Sequence, residues 1–180
     1  MLEKYLMDDL ELIKPTTTLE EAALEYKKEH FDIGEYELHG SALLDKIDLY
    51  SDWLKIIEEN SNEKTVHSDW VVASTFFVVR KSDQKIIGMI DIRHSLNDFL
   101  RNYGHIGYGV RPSERKKGYA TQMLKLALDY ARQIRLSKVM LACYKDNEAS
   151  SKIIQKCNGI FEKEILHPNG KIVQLYWITL

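Results

Sequence analysis

The chain has 180 residues, of which 44% are hydrophobic and 29% are charged, and its formal net charge is -2 at pH 7. This composition fits one globular domain with enough apolar side chains to form a core. The nearly balanced charge argues against a nucleic-acid-binding protein, because such proteins usually carry a basic excess or a long basic face.

The N-terminus, MLEKYLMDDL, carries acidic residues where a secretory signal needs an uninterrupted apolar run. No stretch of the sequence approaches the roughly 20 apolar residues of a membrane span. We therefore expect a cytoplasmic protein that has no membrane partner. The cysteines Cys143 and Cys157 lack CxxC spacing, so we expect two free thiols and no metal.

Hydrophobic periodicity predicts the elements of a single domain, residues 1–180. The stretch LELIKP alternates apolar and polar residues up to Pro15, as a strand does. A helix follows, with an expected capping box of Thr18 and Glu21, and a second helix carries Trp53. The polar, glycine-punctuated stretch between them, GEYELHGSALLDKIDLY, has no clear periodicity and is a candidate substrate-side loop.

The second part of the chain is rich in strands. STFFVVRKSDQKIIGMIDIRH predicts a hairpin around Ser82–Gln84, and GHIGYGV predicts a strand that ends at Arg111. After Gly118 the apolar period changes from two to 3.6, which indicates a long amphipathic helix. The strand KVMLACY, the helix NEASSKIIQKC and a hairpin turning at Asn169–Gly170 complete the order βααβββαβαββ. This order predicts an α/β or α+β domain around a largely antiparallel sheet.

The segment RPSERKKGYA, residues 111–120, joins the third strand to the long helix. A strand that enters a helix through a short loop leaves N–H groups unpaired beside the positive end of the helix dipole, which favours phosphate. Gly118 permits close approach, and Arg115, Lys116 and Lys117 add positive charge. The alternative is a capped helix after a solvated loop. The glycines of the preceding strand favour a ligand, because strand glycines often mark a close backbone approach.

Residues 115–120, RKKGYA, match the R/Q-x-x-G-x-G/A signature of the GNAT superfamily of acetyl-CoA-dependent N-acyltransferases, so the chain resembles that family. Asn147 and Ser150 open the next helix, where GNAT proteins often have an asparagine facing the pantetheine arm of CoA. The run IDIRHSLNDFLRNYGHIGYGVRPSERKKGYA is similar to a bacterial GNAT subgroup of predicted acetyltransferases. The resemblance covers residues 70–180 well and residues 1–70 loosely.

The resemblance implies a GNAT fold, with a mixed, largely antiparallel central sheet flanked by helices and a splayed pair of parallel strands that holds CoA. It implies that residues 1–70 form the acceptor side and residues 70–180 the CoA-binding core. It also implies an acyltransferase that moves acetyl from acetyl-CoA, without a metal, to a primary amine by direct attack in a ternary complex. The CoA-binding residues that it implies are Tyr108, Gly109, Val110, Arg115, Lys116, Lys117, Gly118, Tyr119, Ala120, Asn147 and Ser150.

Two residues are candidates for the proton transfers. His105 is a candidate base because imidazole titrates near neutral pH, and the alternative is a histidine hydrogen-bonded between strands. Tyr108 is a candidate acid for the thioester sulfur, or else a core aromatic. In many GNAT proteins a tyrosine acts as the general acid at the position where this chain has Ile154. The family pattern therefore assigns no general acid in this chain. We expect Cys143 to be buried and inert.

Four polar residues are candidates for the acceptor site: Glu37 and His39 in the irregular stretch, and His94 and Asn97 after the hairpin. The structural alternatives are a solvated loop for the first pair and a turn cap for the second. The expected partner is a small-molecule or peptide amine, not a nucleic acid, and a homodimer is compatible with the resemblance. Because Ile154 replaces the common tyrosine, a non-catalytic acyl-CoA-binding sensor is the alternative function.

Overall fold

The computed structural model describes residues 9–180, so most of the N-terminal stretch inspected for a signal lies outside the described part. Within that part, seven strands and four α-helices follow the predicted order βααβββαβαββ. None of these helices is long and apolar enough to cross a membrane. The strands are β1 (Leu10–Ile13), β2 (Ala73–Arg80), β3 (Lys85–Arg93), β4 (Ile106–Val110), β5 (Lys138–Tyr144), β6 (Ile160–Leu166) and β7 (Ile172–Thr179). The helices are α1 (Glu20–Asp32), α2 (Tyr50–Asn60), α3 (Tyr119–Gln133) and α4 (Glu148–Lys156).

The strands form two antiparallel sheets, with the orders β1-β2-β3-β4 and β5-β7-β6. Among residues 9–180, β4 and β5 share no ladder, and the sheets meet at an isolated bridge between Gly104 and Leu141. At the same junction the N–H of His105 donates to the carbonyl of Met140 at 2.7 Å. The expected central sheet is therefore split in two where β4 and β5 begin.

Beyond this junction β4 and β5 form no ladder with each other and separate. His105 and Met140 are hydrogen-bonded at one end, whereas Tyr108 and Cys143, further along each strand, line a common cavity. The bridge itself has antiparallel geometry, and it lies in the turn before β4, where Gly104 has a φ of 80°. The divergence matches the splayed strand pair that the resemblance implies.

Helices cover both faces of the first sheet. On one face, α3 buries Met123, Leu124, Ala127, Leu128 and Ala131, which belong to the apolar stripe predicted from the sequence. On the other face, α1 and α2 pack against the sheet, and the ring of Trp53 lies 5.8 Å from that of Phe77. These two cores fix the first sheet between helical layers, as an α+β architecture requires.

The start of α1 differs from the expected capping box. A 3-10 turn at Thr17–Leu19 precedes the helix, and no side chain caps α1 from Leu19. The Thr18 hydroxyl lies 2.9 Å from the Thr16 hydroxyl instead. The capping-box prediction was wrong because the 3-10 turn moves the helix start two residues beyond Thr18.

The segment between α1 and α2 has no regular structure, as expected, but it is not a solvated loop. Leu38 and Leu44 are buried. The indole N–H of Trp53 donates to the carbonyls of Ser41 and Ala42, at 2.9 and 3.0 Å. Trp53 belongs to α2 and its ring packs on Phe77 of β2. The hydrogen bonds to Trp53 therefore hold the segment against the sheet.

Gly40 of this segment lies directly against β4. A Cβ on Gly40 would lie 2.6 Å from the Gly107 carbonyl oxygen and 2.8 Å from that of Met89. A Cβ on Gly109 would lie 2.8 Å from the His39 carbonyl oxygen. The glycines of β4 were expected to admit a ligand, but Gly107 and Gly109 admit the chain's own segment.

Replacing Gly40 with alanine should destabilise the protein more than replacing Gly34. Both glycines have positive φ, 74° and 82°, but a Cβ on Gly34 would meet no heavy atom within 4 Å. Each variant loses roughly 1–2 kcal/mol from the left-handed backbone, and Gly40→Ala loses about 1–3 kcal/mol more from overpacking. Urea unfolding measures both values, and equal losses would contradict the close packing of this segment on β4.

Candidate functional site

The divergence of β4 and β5 opens a cavity of about 630 Å³. This volume lies within the usual range of small-molecule sites. Both sheets, the segment 37–46 and the loop 97–103 contribute to its walls. Six residues expected from the sequence line it: Glu37, His39, Asn97, Tyr108, Asn147 and Ser150.

Tyr108 carries the hydroxyl that reaches from β4 across the cavity to α4. Its oxygen lies 3.2 Å from the Ser150 hydroxyl oxygen. Burial raises the pKa of Tyr108 to about 12, so the phenol keeps its proton at neutral pH. Asn147 opens α4 as expected, and its side-chain oxygen accepts from the Ser150 N–H at 3.1 Å. These contacts place a neutral proton donor inside the cavity.

Cys143 lines the same cavity from β5. It is a buried free thiol, as is Cys157 outside the cavity. Burial raises the pKa of Cys143 to about 11. Since the thiolate is the reactive form, Cys143 is a poor nucleophile at neutral pH.

The loop between β4 and α3 ends at Gly118, which has a φ of 83° and a ψ of 0° immediately before the helix. Within residues 9–180, no side chain caps α3, and the first turn of this 15-residue helix contains no acidic residue. A Cβ on Gly118 would meet no atom within 4 Å. The space beside Gly118 is therefore open at the positive end of the helix dipole of α3, which suits an anion.

The basic side chains of the loop are engaged with acidic partners more than the sequence suggested. Arg115 donates two hydrogen bonds of 2.6 Å to the carboxylate of Glu35, and these bonds lower the pKa of Glu35 to about 2. Lys117 donates to Glu114 at 2.9 Å. Lys116 is exposed and forms no ion pair with any residue the structure describes. Of the three basic side chains of the loop, Lys116 is thus the one that no described carboxylate engages.

The remaining residues expected at the CoA loop lie around it. Tyr119 is buried, and its hydroxyl accepts from Arg80 at 2.9 Å, so its side chain belongs to the core. Gly109 and Val110 end β4 on the edge next to the cleft. Ala120 lies in the first turn of α3.

Acidic residues of α1 hold the loop in place. Glu29 accepts from the Ser113 N–H at 2.7 Å. Arg111 has a side chain only 2% exposed and lies 3.4 Å from Glu25 and 3.5 Å from Glu29. The position of the loop therefore depends on α1, from the N-terminal part of the chain.

His105 lies outside the cavity, contrary to its expected role as a base. Its Nδ1 accepts from the Met140 N–H at 2.9 Å, so the proton is on Nε2 and neither nitrogen has a free lone pair. Burial, with a smaller contribution from the charge of Arg93, lowers the pKa of His105 to about 4. The structure supports the alternative, a histidine hydrogen-bonded between strands.

His94 and Asn97 were both expected at the acceptor site, but only Asn97 lines the cavity. His94 Nε2 lies 2.8 Å from the Ser74 hydroxyl, which lies 2.8 Å from the Tyr130 hydroxyl of α3. This contact holds His94 on the α3 face of the sheet. Asn97 caps a turn at the rim, where its side-chain oxygen accepts from the Leu100 N–H at 2.9 Å.

Asp91 lines the cavity and was not among the residues expected from the sequence. It is 6% exposed, accepts from the Thr75 hydroxyl at 2.9 Å and lies 3.6 Å from Arg93 Nε. Burial raises the pKa of Asp91. The signal in the sequence was a carboxylate inside the otherwise apolar strand segment IIGMIDI, since buried titratable groups often mark functional sites.

Comparison with known proteins gives a family match over most of the chain. Residues 15–159 match the family model for the acetyltransferase (GNAT) domain. No curated protein matches the sequence.

Several solved structures share the fold. Spermidine/spermine N-acetyltransferase SpeG from Vibrio cholerae aligns at 13% identity and a TM-score of 0.67, covering 94% of this chain and 93% of that chain. Ribosomal-protein-S5-alanine acetyltransferase from Vibrio fischeri aligns at 19% identity and 0.68, covering 98% and 94%. The microcin C7 self-immunity acetyltransferase MccE, in complex with acetyl-CoA and AMP, aligns at 21% and 0.66, covering 96% and 93%. At these identities the likeness establishes the fold.

Proposed function

Since the chain belongs to the GNAT acetyltransferase family, we propose that it transfers an acetyl group from acetyl-CoA to a primary amine, in a ternary complex. One observation carries this proposal: the uncapped start of α3 lies at the end of β4, the strand whose free edge borders the cleft. An anion site and an extended groove thus adjoin, as a ligand with a diphosphate and a long amide-bearing arm requires. The related MccE structure contains acetyl-CoA, which supports the same choice.

In this proposal the diphosphate binds the N–H groups of the first turn of α3, beside Gly118 and Lys116. The pantetheine arm lies along β4, which pairs with no described strand other than β3. Its other edge can therefore bond an extended chain, except at the Val110 carbonyl, which accepts from Arg115 Nε at 3.2 Å. Asn147 and Ser150 border the arm from α4. The cavity beyond the arm, lined by Glu37 and His39, receives the amine.

Two side chains would handle the protons. As the N–C bond forms and the C–S bond breaks, Asp91 accepts the proton that the amine loses, and Tyr108 donates a proton to the departing sulfur. Ile154 is fully buried in the core, so the family's common tyrosine position supplies no acid here. With Tyr108 as the donor, the sequence no longer lacks an acid, and an enzyme is favoured over a non-catalytic sensor.

Gly118→Asp should weaken CoA binding about 100-fold, because the new carboxylate repels the phosphates and competes for the N–H groups of α3. Gly170→Asp is the matched control, since both glycines have a φ of 83° and a Cβ on either would meet no heavy atom within 4 Å. Calorimetric titration with CoA measures both variants. Unchanged affinity in a folded Gly118→Asp protein would remove the basis of the assignment.

Asp91→Asn should lower kcat by about 10² to 10⁴-fold, the usual contribution of a general base. The base must be deprotonated and burial raises the pKa of Asp91, so kcat should fall as the pH drops through that raised value. The asparagine variant should lose this acidic limb.

His105→Asn is the control for Asp91→Asn, because an asparagine oxygen can still accept the Met140 N–H. It should keep both kcat and the acidic limb. Thermal melting of each variant separates loss of folding from loss of chemistry. An acidic limb that disappears in His105→Asn and persists in Asp91→Asn would return the base role to His105.

A further inference from the structure

We infer that the acceptor carries a second ammonium group and is a linear aliphatic diamine, an inference that rests on the proposed acetyl transfer. The rim of the acceptor cavity, by which we mean Glu37, Asp69, Trp70 and Phe99, would hold the ammonium that does not react. Its charges and its aromatic rings both point to a cation.

The charges on the cavity wall do not balance. Six charged side chains line the cavity: Glu37, Asp45, Lys46, Asp69, Asp91 and Arg93. Asp45 is paired with Lys46 at 3.3 Å, and Asp91 with Arg93 at 3.6 Å. Both cations of the wall are thus neutralised by carboxylates of the wall.

The two remaining carboxylates, Glu37 and Asp69, have no lysine or arginine partner among residues 9–180. Asp69 lies 3.6 Å from His67 Nδ1, but the same nitrogen accepts from the Asp69 N–H at 3.3 Å. The rim therefore carries two carboxylates that no lysine or arginine of the described residues neutralises.

Two aromatic rings, those of Trp70 and Phe99, line the same cavity as these carboxylates. Trp70 is 44% exposed and Phe99 is 67% exposed, although both are large apolar side chains. Asn97 joins their two loops, since its amide donates to the Asp69 carbonyl at 3.0 Å. Exposed rings next to carboxylates form a favourable environment for an organic cation, because the ring face attracts positive charge.

A neighbouring ring of the cavity, that of Tyr144, already binds a cation of the chain itself. The Lys171 ammonium lies 5.0 Å from the centre of the Tyr144 ring. Tyr103 packs against Phe99 with ring centres 4.7 Å apart. Trp70 and Phe99 contact no cation of the described chain, so these two rings remain available to a ligand.

The same rim disfavours anionic and zwitterionic acceptors. An acceptor with a carboxylate would meet Glu37 and Asp69, while Lys46 and Arg93 are already paired. Like charges in a partly enclosed site repel over distances within the Debye length, roughly 8 to 10 Å at physiological salt. A monoamine lacks the group that the rim would bind.

Three matched acceptors test the inference: 1,5-diaminopentane, 1-aminopentane and 5-aminopentanoate. In assays of thiol release from acetyl-CoA, kcat/KM should be about tenfold higher for the diamine than for the monoamine. The reason is that the second ammonium adds one exposed ion pair and one cation–π contact. It should be lowest for the zwitterion. Added salt should reduce the preference for the diamine.

A double variant, Glu37→Gln with Asp69→Asn, should reduce the ratio of diamine to monoamine kcat/KM towards one. Asp129→Asn is the control, because this exposed residue of α3 pairs with Arg132 and does not line the cavity. It should retain the full ratio. Equal use of diamine and monoamine by the wild-type protein, or better use of 5-aminopentanoate or of a short peptide with a free N-terminus, would overturn the inference while acetyl transfer stands.

Binding separates the inference from the proposed function if no acceptor is acetylated. Calorimetry of CoA-loaded protein with 1,5-diaminopentane should then show salt-sensitive binding that the double variant weakens about tenfold. That result would support the rim as a diamine site and reject acetyl transfer. An absence of diamine binding to the CoA-loaded protein would overturn the inference.

Discussion

The candidate site depends on one structural feature, the isolated bridge between Gly104 and Leu141 at which the two sheets meet. His105 uses both its backbone N–H and its ring nitrogen on Met140 there, which holds the strands together at the junction. Beyond it the strands diverge, leaving one edge of β4 free and opening the cavity. A continuous sheet would have covered this edge and left no room for a ligand.

The N-terminal part of the chain is built into the same site. Gly40 and His39 pack on the glycines of β4, while Glu35 and Glu29 of the α1 region bind the loop before α3. In the proposed function, the acceptor side and the cofactor side therefore share contacts. A change in the segment 37–46 should then affect the binding of CoA as well as that of the amine.

The order of elements could be predicted from the sequence because the periodicities are strong, as in the stripe of α3 and the turn at Asn169–Gly170. The loop that enters α3 at Gly118 could also be predicted, since a strand, a glycine and a helix start adjoin in the chain, while its binding of an anion stays a prediction. The positions of the His105 and Asp91 side chains could not be predicted. They depend on which face each side chain occupies and on which residues lie opposite, and these follow from the pairing register between distant strands.

The central claim is that the cleft and the start of α3 form one acetyl-CoA site. The most direct measurement is a crystal structure of the protein with acetyl-CoA. We expect diphosphate oxygens within about 3.2 Å of N–H groups in the first turn of α3, the arm along the free edge of β4, and the thioester sulfur within hydrogen-bond reach of the Tyr108 hydroxyl. Acetyl-CoA bound away from α3, or a sulfur remote from Tyr108, would contradict the account.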